Sequence, residues 1–483
     1  MSLSRSFEHD IQNEVSSAQC ANVVDWDGPD DEANPLNWKR SLKITTVAIV
    51  SVFNFLTPLG SAMFAPGVQE VMDEFQSTSQ PMSSFVVSVY LLGFAFGPLI
   101  VAPLSEIYGR LPLYHGCNTL FILSNVACAL APSLPSLVGF RFLAGSAGCA
   151  PLALGAGTLA DVITPERRGL AISIWAVGPV IGPVVGPVCG GFLTQNVSWR
   201  WVFWVIAIAG GVSTGVSFIL LRETYAPIIL ARKTRRLARD TGNTDLQSAL
   251  HRDLSPIQLF ATTIIRPLKM LLFSPIVSLL SWYVAVVYGF LYLLFTTMSK
   301  IYREQYHFSA SIVGLTYIGL GLGSAIGLLA MGMFSDKLSN RLATASKSQL
   351  KPEFRLSLMI PLALCMPIGL VWYGWTADKK AHWILPIIGT CWVGVGVVVS
   401  FTGVQAYLVD AFTTQAASAA AANTVLRSLM GAVLPLAGPS MYNTLGVGWG
   451  NTLLAFVGLV MLPLPLIFFK YGEKLRMKYP CAS

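Results

Sequence analysis

Along this chain long apolar runs alternate with short charged ones. Measured between successive Asp, Glu, Lys and Arg residues, uncharged stretches cover 44–69, 75–105, 111–140, 142–160, 169–199, 201–221, 270–299, 305–335, 356–377, 381–409 and 428–469. A helix needs about 20 apolar residues to cross a bilayer, so each stretch predicts a membrane span. The last is twice too long, and a GVGWG turn at Gly446–Gly450 divides it into the end of one span and a second reaching Phe469. A segment from near Thr414, interrupted only by Arg427, completes the eleventh span and brings the total to twelve.

The polar stretches between them predict an N-terminal tail over 1–43, a six-helix bundle over 44–221, a basic linker over 222–273, a second bundle over 274–470 and a C-terminal tail over 471–483. A repeat crosses the linker. GPLIVAPLSE, from Gly97 to Glu106, and GLLAMGMFSD, from Gly327 to Asp336, each close a span with serine and an acid, while the fourth and tenth spans close on Asp161 and Asp410. The expectation is an all-α integral membrane protein made of two pseudo-symmetric bundles, with a ligand site between them near the midplane.

Composition agrees: 54% of residues are hydrophobic, 12% are charged and the mean hydropathy is +0.61. With a cytosolic N-terminus, 25 of the 32 Lys and Arg residues fall on the inner side and five on the outer, so both termini are expected in the cytosol. That bias also explains the net charge of +8 without a nucleic-acid partner. Residues 1–43 lack an apolar signal core, the eight cysteines form no CxxC pair, and the sequon at Asn196 sits in a loop too short to favour glycosylation. There is no Gly-Lys pair and hence no Walker A loop, and Gly211–Gly215 matches G-x-S-x-G only inside a membrane helix. No metal site or enzymatic activity is expected.

Arg141 and Arg427 lie within spans, whose interiors contain no Asp, Glu or Lys. A buried arginine faces water, a ligand or a partner, or else braces backbone carbonyls; both readings stand for each. A polycation would need a buried carboxylate, so a neutral, amphipathic or anionic cargo is favoured. Tyr283, Tyr288 and Tyr292, with Phe53, Asn54, Gln405, Tyr407 and Arg427, are candidates to line its cavity, packing being the plain alternative for the aromatics.

The motif GPLIVAPLSEIYGRLPLY resembles the loop between helices two and three of the major facilitator superfamily, in the form found in fungal drug:proton antiporters with twelve helices. NPLNWKRSLK, RFLAGSAGCAPLALGAGTLADV, SWRWVFW, RETYAP and DAFTTQAASAAAA fit the same subfamily, over about residues 34–476. The resemblance implies that Gly97, Glu106, Gly109 and Arg110, and in the second copy Asp336, Lys337 and Arg341, form the gating loops. Leu111 stands where a second arginine is usual. It further implies proton transfer through Arg141, with Glu106, Asp161 and Asp410 as accompanying carboxylates.

In GPVIGPVVGPVCGG, Gly178, Gly182, Gly186 and Gly190 recur every fourth residue, about 40° apart, as a slanting ridge without side chains. The family associates this pattern, with Pro183, Pro187 and Gly191, with antiport. Its expected partner is the series Gly319, Gly323 and Gly327 in the eighth span, across the seam between halves; packing within one bundle is the alternative. The implied function is a monomeric, proton-gradient-driven exporter of a small organic compound, either a xenobiotic or a metabolite, without cofactor. Plasma membrane is the expected location and vacuolar membrane the alternative. An uptake symporter or facilitator of the same fold is the rival function, and a non-transporting sensor a weaker one.

Overall fold

The computed structural model describes residues 22–250, 255–345, 351–412 and 415–478. Residues 1–21 and 479–483 of the two expected tails, with Cys20 and Cys481, lie outside them. Ten helical stretches among the described residues are long and apolar enough to cross a membrane. One, Ala416–Met477, serves two crossings, because Gly446 breaks it with φ +77°, a conformation glycine adopts without strain. Arg110–Ala129 is long enough but more polar, carrying His115, Asn118 and Asn125, and completes the twelve.

In order, the spans are Arg40–Ala62, Gln80–Tyr108, Arg110–Ala129, the broken fourth Leu134–Gly148 with Ala150–Val162, Pro165–Asn196, Arg200–Leu220, Pro275–Tyr306, the broken eighth Ala310–Thr316 with Ile318–Ala345, the broken ninth Leu356–Ala363 with Cys365–Asp378, Ile384–Ala411, and the two within Ala416–Met461, the twelfth running on into Pro463–Lys478. Among the described residues the membrane protein is all-α apart from one two-residue parallel pairing, Val23–Val24 with Gln247–Ser248.

That pairing belongs to a polar layer on one face of the bundle. Within the linker, Ala226–Thr241 and Pro256–Phe273 are helices. Lys233 of the first holds Asp27 at 2.6 Å and Asp31 at 3.7 Å, fastening the segment before the first span to it. The second helix packs on the second span of one half and on the seventh span and the Ala416–Met461 helix of the other. This side is called the linker face below.

The glycine ridge of the fifth span does not meet the eighth. A Cβ at Gly178, Gly182 or Gly186 would come within 2.9 Å of backbone atoms of Asn54, Phe55 or Leu59, and one at Gly190 would overlap the Met63 carbonyl. The ridge therefore lets the first and fifth spans touch backbone to backbone inside one bundle, while Gly319, Gly323 and Gly327 admit Ile387, Cys391 and Val395 of the tenth span. What does cross between halves is Gly191, against Ala310 and Gly314, together with Gly314 against Pro187 and Gly321 against Val184. Successive helix residues point about 100° apart, so Gly190 and Gly191 face different neighbours.

Candidate functional site

Polar contacts between halves concentrate from the midplane to the face opposite the linker. Arg303 pairs with Glu70 at 2.7 Å and donates to the Pro66 carbonyl at 2.9 Å; the Ser311 amide donates to Gln195 Oε1 at 2.9 Å; Asn443 donates to Gln80 at 2.8 Å. Nearer the middle, Ser88 donates to the Ala432 carbonyl at 2.8 Å, and Ser61 shares a 3.0 Å hydrogen bond with the Tyr292 hydroxyl. Toward the linker face the fifth and eighth spans part around an apolar cleft of about 250 Å³, lined by Val177, Val180, Ile181 and Val184 on one side and Gly321, Ala325, Leu328 and Leu329 on the other. The described polar contacts across the seam thus lie from its middle to one end, and this cleft between the fifth and eighth spans lies toward the other.

The linker face carries the acids of the repeat. In the first half, Arg110 begins the third span and its Nε lies 2.5 Å from Asp161, to which the Thr224 hydroxyl donates at 3.5 Å. In the second half, Arg355 precedes the ninth span, with its Nε 2.8 Å from Asp410 and its Nη1 on Asp336. The two halves thus repeat one arrangement, an arginine entering a span and the aspartate ending the next. Lys337 and Arg341 are exposed and make no ion pair among the described residues, so Arg355 takes the place expected for them beside Asp336. Glu106 ends the second span half-buried. Gly97 packs the second span against Cys149 of the fourth.

Glu223, in the RETYAP stretch, was not singled out by sequence reasoning. Its carboxylate accepts from the backbone amides of Arg110 at 3.0 Å and Leu111 at 3.2 Å, and from those of Thr224 and Tyr225 at 3.0 Å. It caps the N-terminus of the third span, where a carboxylate suits the orphan amides and the helix dipole. Gly109 makes this possible: its φ is +99°, and a Cβ there would overlap the Glu223 carboxylate. The donor at residue 111 is the backbone amide, so this contact is made with leucine at the position where a second arginine is usual.

The two intramembrane arginines have different surroundings. Arg141 is 1% exposed, with Nη2 donating to the Ser61 and Val87 carbonyls at 3.2 and 3.3 Å, and its guanidinium lies 4.9 to 5.7 Å from the ring centroids of Phe64, Tyr90 and Phe203. This is a sealed brace between the first, second and fourth spans. Arg427 is 6% exposed and sits between the rings of Tyr288 and Phe401, 4.8 and 4.7 Å from their centroids. It makes no hydrogen bond or ion pair among the described residues. Contacts with two rings, at about 0.5–2 kcal/mol each, offset only part of the several kcal/mol needed to desolvate a cation.

Around Arg427, Asn423 donates to Gln405 at 3.2 Å, and Tyr288 stacks obliquely on Tyr292, 5.1 Å between centroids. Gly431, one turn beyond Arg427, leaves room for the Tyr288 ring and for Leu91 of the opposite half. Tyr288, Tyr292, Gln405 and Arg427 therefore converge at the seam, joined by Phe401 and Asn423, which sequence reasoning passed over. Four other candidates do not join them. Phe53 stacks on Tyr114 inside the first bundle, Asn54 donates to the Trp175 carbonyl at 2.9 Å, Tyr283 bonds Ser400 at 2.8 Å, and Tyr407 is buried with its hydroxyl against Gly472 of the C-terminal helix. Each is turned into its own bundle because the helical face it occupies meets a neighbouring span there.

Comparison with known proteins identifies this architecture. The profile described as Major Facilitator Superfamily matches residues 50–435. Among similar curated proteins, the MFS-type transporter penM of Penicillium rubens is 57% identical over 455 residues, covering 94% of this chain and 89% of its own. The efflux pump radE of Floropilus chiversii is 47% identical, covering 94% and 85%. Among solved structures, the partially occluded inward-open conformation of the xylose transporter XylE from E. coli superposes with a TM-score of 0.67 at 17% identity, covering 89% of this chain and 98% of that one. At that identity the likeness concerns the fold.

Proposed function

The chain belongs to the major facilitator superfamily and is a multi-pass membrane transporter, not an enzyme; on that premise we propose that it exports a small organic compound in exchange for protons by alternating access. The observation that carries this reading is the one-sided seam, latched through Arg303 and Glu70 and parted around Val177 and Leu329. A carrier needs a closed end and an open end that can be exchanged. The basic linker face is assigned to the cytosol with both termini, by the distribution of Lys and Arg, which makes this the inward-open state. Export is supported by the relative that bears the name of an efflux pump, at 47% identity.

Asp161 and Asp410 are the leading proton carriers, with Glu106. Each aspartate is held by an arginine that begins a neighbouring span, so protonation would release that arginine and loosen the linker-face end of its bundle. Arg141 transmits the state of the first bundle to the seam, because it holds the Ser61 carbonyl while the Ser61 hydroxyl meets Tyr292 of the other half. The cargo is neutral, amphipathic or anionic, and the protein acts as a monomer in the plasma membrane, with the vacuolar membrane as the alternative site. The test is dye movement in proteoliposomes under an imposed pH gradient, with a panel of neutral and anionic fluorescent dyes. An antiporter moves dye against the proton flow; transport indifferent to the gradient, or none with any dye, refutes the proposal.

A further inference from the structure

We infer that Arg427 is the anchor of an organic-anion subsite, which takes the carboxylate or comparable oxyanion of a cargo whose flat apolar part lies along Tyr288 and Phe401. The inference rests on the reading of the seam as the cargo path and narrows its cargo to one charge class. Three observations carry it. The first is the contrast between the two buried arginines: Nε of each is buried without a partner, but Nη2 of Arg141 is engaged by the carbonyls of Ser61 and Val87, whereas Arg427 donates to no described residue although it is only 6% exposed. A guanidinium kept in a membrane interior with its donors unengaged is suited to a planar oxyanion, which accepts two parallel N–H bonds from it.

The second is the polar surface beside it. Asn423 lies one turn before Arg427 on the same helix, and its amide donates to Gln405 while its own carbonyl oxygen is buried without a partner. That oxygen is an acceptor, so it suits a hydroxyl or N–H donor elsewhere on the cargo, while the oxyanion itself goes to the guanidinium. Third, the walls are aromatic and partly open. Tyr288 and Phe401 hold the guanidinium between their rings yet are only half-buried, so ring surface remains for a ligand. Gly431, one turn further on, lets Leu91 of the opposite half and the Tyr288 ring pack against this helix, which places the pair of rings at the seam. No Asp or Glu lies within the neighbouring apolar stretches 381–409 and 428–469 to compete for the cation.

The experiment compares 2-naphthoate with its neutral isostere 2-naphthamide by equilibrium dialysis of the radiolabelled probes against the full-length protein purified in detergent at pH 7. The wild-type protein is expected to bind the carboxylate about 10- to 100-fold tighter than the amide, the range for a charge-assisted hydrogen-bonded pair. Arg427→Gln should abolish that preference while leaving amide binding within about threefold, and Arg427→Lys should restore part of it. Equal binding of the two probes by the wild type overturns the inference, as does a preference that survives in Arg427→Gln or the binding of neither probe at millimolar concentration. If Arg427→Gln does not fold, by its melting temperature, the wild-type ratio and the Arg427→Lys variant decide. Binding is read without a membrane or gradient, so it can fail while proton-coupled export stands, and the reverse.

Discussion

Replacing Gly314 by alanine adds one methyl group at a place where the eighth span meets the fifth backbone to backbone across the seam. The added Cβ would lie 3.2 Å from the Pro187 carbonyl carbon and from Val188 Cα, and closer still to the Pro187 oxygen. These are backbone atoms, so no side chain can swing aside and the two spans must separate. Overpacking of this kind costs about 1–3 kcal/mol. The helix-propensity gain from alanine, about 1 kcal/mol, accrues equally whether the seam is closed or open and drops out of the ratio. The penalty falls only on the state in which Gly314 touches Pro187, so the population should shift roughly 5- to 150-fold toward opening at the face opposite the linker. Spin labels at Asn196 and Glu304, both exposed at that face on opposite halves, would read the shift as a longer distance population in double electron–electron resonance, with Cys20, Cys189 and Cys481 removed. Gly190→Ala is the control on the partner helix. Its clash with Met63 lies inside one bundle, so it should lower the melting temperature without changing the distance ratio. An unchanged distribution in Gly314→Ala, or an equal shift in Gly190→Ala, refutes the assignment of the seam.

Arg303→Gln removes the partly exposed latch to Glu70 and should favour opening of the same face by about 1 kcal/mol, roughly fivefold, read with the same labels. Glu223→Gln keeps the shape of the cap but loses its charge, and should cost about 1–2 kcal/mol of stability, seen as a lower melting temperature in detergent. Asp31 has its carboxyl held below the ordinary 3.8 by the backbone amides of Asp27 and Ala33 and by Lys233. A depressed folded-state value means that its contribution is fully present above pH 3.8 and lost as pH falls through the lowered value. Protection of residues 22–38 in hydrogen exchange should therefore be flat from about pH 5 to 8 as far as Asp31 governs it, and Asp31→Asn should reduce that protection at neutral pH.

The twelve crossings were legible because charge is so costly in a bilayer that its absence marks each span, and even the break at Gly446 was announced by the glycines around it. The repeat was legible too, in the Ser-acid pairs at Glu106 and Asp336 and the aspartates at 161 and 410, although only in the first half does the Ser-acid pair close its helix: the helix of Asp336 runs on to Ala345. What stayed hidden was partnership. Arg355 was counted only as one more basic loop residue, yet it joins Asp336 to Asp410 because the ninth span begins beside the ends of the eighth and tenth. Glu223 was visible inside a quoted motif, but its task is to accept backbone amides, and backbone donors leave no mark in a sequence. The cavity candidates divided for a similar reason: Tyr283 and Tyr288 are five residues apart on one helix, about 140° around it, so only Tyr288 reaches the seam.

The glycine ridge meets the same limit, and its true partner has a mechanical consequence. A four-residue spacing establishes that one face of the fifth span is bare, but every helix around it is an eligible neighbour. The bare face belongs to the first span, and the contact between halves is made one residue later, by Gly191 against Gly314. This divides the helix between two tasks. The ridge packs the fifth span on the first inside its own bundle, while the span's contacts with the other half are few and small, Gly191 against Gly314 and Val184 against Gly321. Rocking between two states requires both a bundle that does not deform and a seam held by little enough to part. In the proposed alternating-access cycle the ridge would supply the first, and the short run of glycines and polar latches near Arg303 the second.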